Sequence, residues 1–119
     1  MSLVARHLEE NGVPTVVMGS ARDIVEECGV PRFVFTDFPL GNPCGKPWDA
    51  AMQRSIVGTA LDLLERAWMP RTMIQTPFSW GSQEWRENFM RVDESNREAL
   101  ARKGEERRRR QAEAKKGAR

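Results

Sequence analysis

Apolar positions along the chain change their spacing several times, and each change marks an element. Leu3, Val4 and Leu8 share one helical face behind Ser2, and Gly12 follows as a stop, so residues 2–11 read as a short amphipathic helix capped by Ser2. Residues 13–18 are compact, largely β-branched and apolar at both parities, which predicts a strand covered on both faces. Gly19 and Ser20 then turn the chain. Ser20 with Asp23 has the form of a capping box that opens a helix through Ile24, Val25 and Cys28, ending at Gly29. Residues 32–36 form a second apolar run, so strand, helix and strand make one βαβ unit.

From Asp49 to Trp68 the period of three or four is sustained: Met52, Ile56, Ala60, Leu63, Leu64 and Ala67 form a core stripe on the longest predicted helix. Residues 71–77, preceded by Pro70 and closed by Pro77, read as an edge strand. Phe78, Trp80, Trp85 and Phe89 make an aromatic patch, with Ser82 as an N-cap and Trp85 and Phe89 four apart on one helix face. Such rings either clasp the segment to the core or face a partner. Beyond residue 92 apolar side chains nearly vanish. The pattern therefore divides the chain into an α/β domain, residues 1–92, and a charged basic tail, residues 93–119, expected as a frayed helix or disordered. The fold class is α/β, a small partly parallel sheet with flanking helices, equivalent to half of a Rossmann-like arrangement.

Composition sharpens this division. The chain has 119 residues and a net charge of +2, but residues 101–119 hold nine basic and three acidic side chains, leaving the remainder negative. A basic run containing Arg107, Arg108, Arg109 and Arg110 attracts polyanions, although interleaved acids weaken the case for nucleic acid and no nucleic-acid motif accompanies it. Two cysteines are too few for a disulfide framework, and no leader-like or membrane-length apolar run occurs, so the expectation is a cytoplasmic chain with no membrane partner.

Chemistry concentrates between the second strand and the long helix. Residues 36–48 hold three prolines and two glycines, a shaped loop with little freedom to lose, carrying Asp37, Asn42, Cys44 and Lys46. It is either a rigid site or a proline-stiffened connector. In a βαβ unit ligands bind at the carboxyl ends of the strands, where Gly19 and Ser20 would face Asp37 and the loop, and where helix N–H groups suit a carboxylate. Cys44 stands upstream of a helix N-terminus and two residues from Lys46, both of which favour a thiolate, whereas Cys28 falls in a last helical turn and reads as structural. His7 stands alone on a polar position. No dinucleotide fingerprint, phosphate loop or metal-ligand spacing is present, so neither cofactor nor metal is expected.

Residues 12–17, Gly-Val-Pro-Thr-Val-Val, followed by Pro39-Leu40-Gly41-Asn42-Pro43, resemble the C-terminal part of the selenoprotein B family of glycine, sarcosine, betaine and D-proline reductases. The resemblance covers residues 3–64. It implies a dithiol-dependent reductase acting on a small amino acid or amine, in which a selenol or thiol attacks the substrate and a C–N bond is cleaved reductively. It implies a substrate edge shaped by Gly19, Ser20, Asp37, Gly41, Asn42 and Pro43, with Cys44 as a redox candidate. Two positions depart from the family. Phe38 stands where the family often has histidine, and Cys44 stands where it has a small apolar residue. The family's reactive cluster lies upstream of residue 3, so the attacking group is expected from an upstream segment or a partner subunit, and this chain alone is expected to be inactive. The alternative is a noncatalytic module that docks a protein or polyanion through its aromatic patch or basic tail.

Overall fold

A computed structural model describes residues 1–117. Three short strands, β1 (Val17–Gly19), β2 (Arg32–Phe35) and β3 (Thr72–Gln75), form a parallel sheet in the order β1-β2-β3 among the described residues. Val17 pairs with Phe33 and Gly19 with Phe35; Arg32 pairs with Thr72 and Phe35 with Gln75. Alternation along the strands then sorts the core into two layers. Phe33 and Phe35 pack with Val25 and Val30, with Val17 and Met73 alongside. Val34 points the other way, onto Ala60 and Leu63, with Val16, Met18 and Ala67 around them. Helices α2 (Arg22–Cys28) and α3 (Ala50–Arg66) therefore cover opposite faces of the sheet.

β1 is shorter than its apolar run. Pro14 has no N–H to give, and the Thr15 N–H is taken by the Glu9 carboxylate at 2.7 Å, so residues 13–16 stay outside the ladder. β1 is also an edge strand whose residues are only half-buried, although both faces are covered in part, with Val17 packing into one core layer and Met18 into the other. β3 is the other edge, where its flanking prolines place it.

Two predicted caps fail. Helix α1 (Ser2–Glu10) already includes Ser2, so Ser2 cannot cap it, and Met1 occupies the cap position without a side-chain bond. Its buried contact is Ala5, while Leu3, Val4 and Leu8 are exposed. Gly12 does end it, with φ at 82° and the Val13 N–H returning to the Leu8 carbonyl at 2.9 Å. In α2 the cap position falls on Ala21, one residue later than Ser20, and no side chain caps it. Asp49, by contrast, caps α3 by accepting the Met52 N–H at 3.0 Å.

The chain clusters into two compact units, Met1–Gln83 and Glu84–Arg119. The second contains α4 (Glu84–Glu87) and α5 (Arg97–Gly117). α4 stops before Phe89, so Trp85 and Phe89 do not share a helix face; the Arg86 guanidinium lies 4.5 Å over the Trp85 ring instead. The described side chains of α5, through residue 115, are exposed.

Candidate functional site at the carboxyl edge of the sheet

Three parallel strands end at one edge, so the segments after Gly19, Phe35 and Gln75 emerge together. The pairing continues one step past the strands: the Thr36 N–H donates to the Gly19 carbonyl at 3.0 Å, and the Thr76 N–H donates to the Phe35 carbonyl at 2.9 Å. Both threonines are buried, and the Thr76 hydroxyl lies 3.3 Å from that of Thr36. This closes the floor of the edge with polar groups that satisfy one another.

Above the floor sits Phe38, 1 % exposed, with its ring edge-on to Trp80 at a centroid distance of 5.2 Å. Phe38 is thus a core residue. Its ring is committed to packing against Trp80. Lys46 places its ammonium 5.8 Å from the Trp80 ring centroid, within cation–π range.

Two turns shape the loop between β2 and α3. The Asn42 N–H bonds the Pro39 carbonyl at 3.1 Å, its side-chain amide bonds the same oxygen at 3.3 Å, and Gly41 takes φ 95°. Gly45, at φ 112°, is buried against α3, where an added Cβ would stand 3.3 Å from Gln53, Ile56 and Met52 atoms. The Gln53 amide then donates to the Lys46 carbonyl at 2.6 Å. The loop is anchored to the first turns of α3, and that anchoring holds its outer side chains in place.

The named candidates occupy different places on this frame. Gly19 ends β1, with so little room that a Cβ would lie 3.1 Å from the Phe33 ring. Ser20 has a buried hydroxyl with no hydrogen-bond partner among the described residues, so the side chain expected to cap a helix is an orphan polar group at the strand edge instead. Asp37 and Pro43 are half-buried, Gly41 is exposed, and the half-buried Asn42 spends its amide on closing the loop. Adjacent strands bring Gly19 and Ser20 beside Thr36 and Asp37. Cys44 is exposed and Cys28 half-buried, both as free thiols. The two features read as activating Cys44 are engaged elsewhere: Asp49 caps the α3 terminus, and Lys46 stands over Trp80.

The sequence marked Thr36 only as the start of the loop and Trp80 only as part of the aromatic patch, and did not single out Thr76. One signal existed in the sequence, a threonine directly after the last residue of both β2 and β3. Cavities elsewhere include one of about 210 Å³ lined by Val25, Gly29, Val30, Phe33, Arg71 and Met73, at the opposite, amino edge of the sheet. Among the described residues no group of three or more His, Cys, Asp or Glu side chains could hold a metal ion, and no helix is long and apolar enough to cross a membrane.

Comparison with known proteins gives one informative similarity. The chain is 28% identical over 78 residues to D-proline reductase subunit gamma of Acetoanaerobium sticklandii. The aligned region is 66% of this chain and 32% of that protein, so the chain spans about a third of the length of the relative it matches. This marks a distant relationship to a reductase subunit. No family model matches the chain, and no solved structure matches it.

Proposed function

We propose that this chain is a component of a selenoprotein B type reductase, carrying out dithiol-dependent reductive C–N cleavage of an amino acid or amine with an attacking thiol or selenol supplied by an upstream segment or a partner subunit. The similarity to a D-proline reductase subunit carries this reading, and it falls on a chain whose proline-glycine loop opens at the carboxyl edge of a parallel sheet. On this reading residues 1–92 are the α/β domain, half of a Rossmann-like arrangement in a cytoplasmic protein, and residues 93–119 are an appended charged tail. Gly41 and Pro43 set the loop's path, Asn42 locks it, and Ser20 and Asp37 supply polar contacts to the substrate's carboxylate and amine. Cys44 is the sulfur within this chain best placed to exchange with an incoming thiol, because it is exposed. Reduction consumes two electrons: a dithiol becomes a disulfide as the C–N bond opens. One isolated loop cysteine cannot complete that exchange alone.

A second reading, a noncatalytic docking module, is favoured by Trp48, which is 99 % exposed and held at φ 64° at the end of the same loop.

One experiment separates the two. Glycine, betaine, sarcosine and D-proline are presented to the purified chain with excess dithiothreitol, while alkylation of Cys44 is followed by peptide mapping. The reductase reading expects no turnover and slower Cys44 alkylation with at least one substrate present. Failure of all four to protect Cys44 removes the substrate edge. Turnover that survives Cys44→Ser without a partner overturns the external nucleophile.

A further inference from the structure

The tail reads as a mixture of charges in sequence, but α5 sorts them. Between residues 97 and 115 it carries eight basic and four acidic side chains. At about 100° per residue, Glu98, Glu105, Glu106 and Glu113 all fall within a sector of roughly 100°. Arg102 and Arg109 share that sector, and Arg109 pairs with Glu113 at 3.6 Å. Arg110, at its border, pairs with Glu106 at 2.6 Å. The opposite arc, roughly 140° wide, contains no acid. It holds Arg97, Lys103, Arg107, Arg108 and Lys115, and none of these five makes an ion pair among the described residues.

We propose that this cationic face of α5 is a binding surface for the phosphate backbone of double-stranded DNA. Five unpaired cations extend along about 27 Å of helix, and a face dominated by charge, with Leu100 as its single large apolar side chain, fits a regular polyanion. Leu100 is the sole large apolar side chain exposed on the helix, so a membrane surface, which needs a buried apolar face, is a poor match. A protein partner would need a desolvated apolar centre that α5 does not offer. The major groove of B-form DNA admits an α-helix, and a cationic arc this wide reaches phosphates on both walls. The major groove of an RNA duplex is too narrow to admit it. This surface is independent of the reductase reading, since it uses no residue of the sheet edge.

The test is fluorescence anisotropy of the full chain with a labelled 20-base-pair DNA duplex of arbitrary sequence across a salt series. Binding is expected to weaken with salt, with a log–log slope of about −3 to −4.5, set by up to five phosphate contacts. Arg107→Gln with Arg108→Gln should weaken binding about tenfold or more at 0.1 M salt. Arg102→Gln with Arg109→Gln removes the same charge from the acid-bearing sector and should change binding by less than about threefold. Both pairs lie on an exposed helix, and circular dichroism confirms that each variant retains it. Equal losses in the two variants, absence of binding at 0.05 M salt, or binding as tight to an RNA duplex, polyglutamate or phosphatidylserine vesicles would each overturn the proposal.

Discussion

Arg32 donates from Nη1 to Oε1 of Glu9 at 2.8 Å, while the other Glu9 oxygen accepts the Thr15 N–H at 2.7 Å. One carboxylate therefore ties α1 to the lead-in of β1 and to the first residue of β2. The pair is partly shielded, with the Arg32 and Glu9 side chains 18% and 31% exposed. The Arg32 hydrogen bond, helped by the Thr15 N–H and the guanidinium charge, holds the Glu9 carboxyl below the usual carboxylate range against the opposing effect of burial.

Glu9→Gln should cost about 1 kcal/mol near neutral pH, a charged hydrogen bond discounted for partial exposure. Because the folded-state pKa is depressed, the contribution is present above the unfolded value of about 4.3 and is lost as pH falls through the folded one. Urea unfolding at pH 7 and pH 3 should give a difference between wild type and variant that shrinks on the acid side. A difference constant with pH would show that Glu9 acts through packing alone.

Gly45 and Gly41 both take positive φ, yet their surroundings differ. Gly45→Ala meets backbone strain and three side-chain atoms of α3 at 3.3 Å, whereas Gly41→Ala meets strain in open space. The expected costs are about 2–3 kcal/mol and about 1 kcal/mol respectively. Thermal midpoints in the opposite order would contradict the anchoring of the loop on α3.

Phe38→Ala should destabilise by about 3–5 kcal/mol, because it empties a fully buried ring site against Trp80. Phe38→His, which restores the side chain common in the resembling family, should also destabilise, by burying a polar ring. Chemical denaturation reads both; a neutral histidine variant would show that the site tolerates a polar side chain.

Iodoacetamide should label Cys44 before Cys28, since one thiol is exposed and the other half-buried at the end of α2. Brief treatment followed by peptide mapping measures it. Equal labelling would remove Cys44 from the candidate site.

Amides of residues 101–114 should exchange far faster than those of β2, because α5 has no buried side chain among those described and rests on local hydrogen bonds alone. Slow exchange across that span would reveal a stabilising contact on the helix.

The strand–helix–strand order was legible because it depends on local rules: β-branched runs, a glycine at φ 66° ending α2, and an aspartate capping α3. The long helix was legible for the same reason, since Ile56, Ala60 and Leu63 recur at helical spacing and are the residues it buries. What sequence misjudged depends on neighbours. Leu3, Val4 and Leu8 look like a buried face, but α1 buries only Ala5, so spacing stated amphipathicity without stating what would cover it. Ser20 has the local form of a cap, yet the chain's path out of β1 moved that role one residue on and left its hydroxyl buried at the strand edge. The Thr36–Thr76 contact and the Phe38–Trp80 packing join residues about 40 positions apart, across a register that only the assembled sheet sets. Local chemistry names the elements. Which side chains meet at the carboxyl edge follows from strand order and register, which are properties of the whole packed sheet.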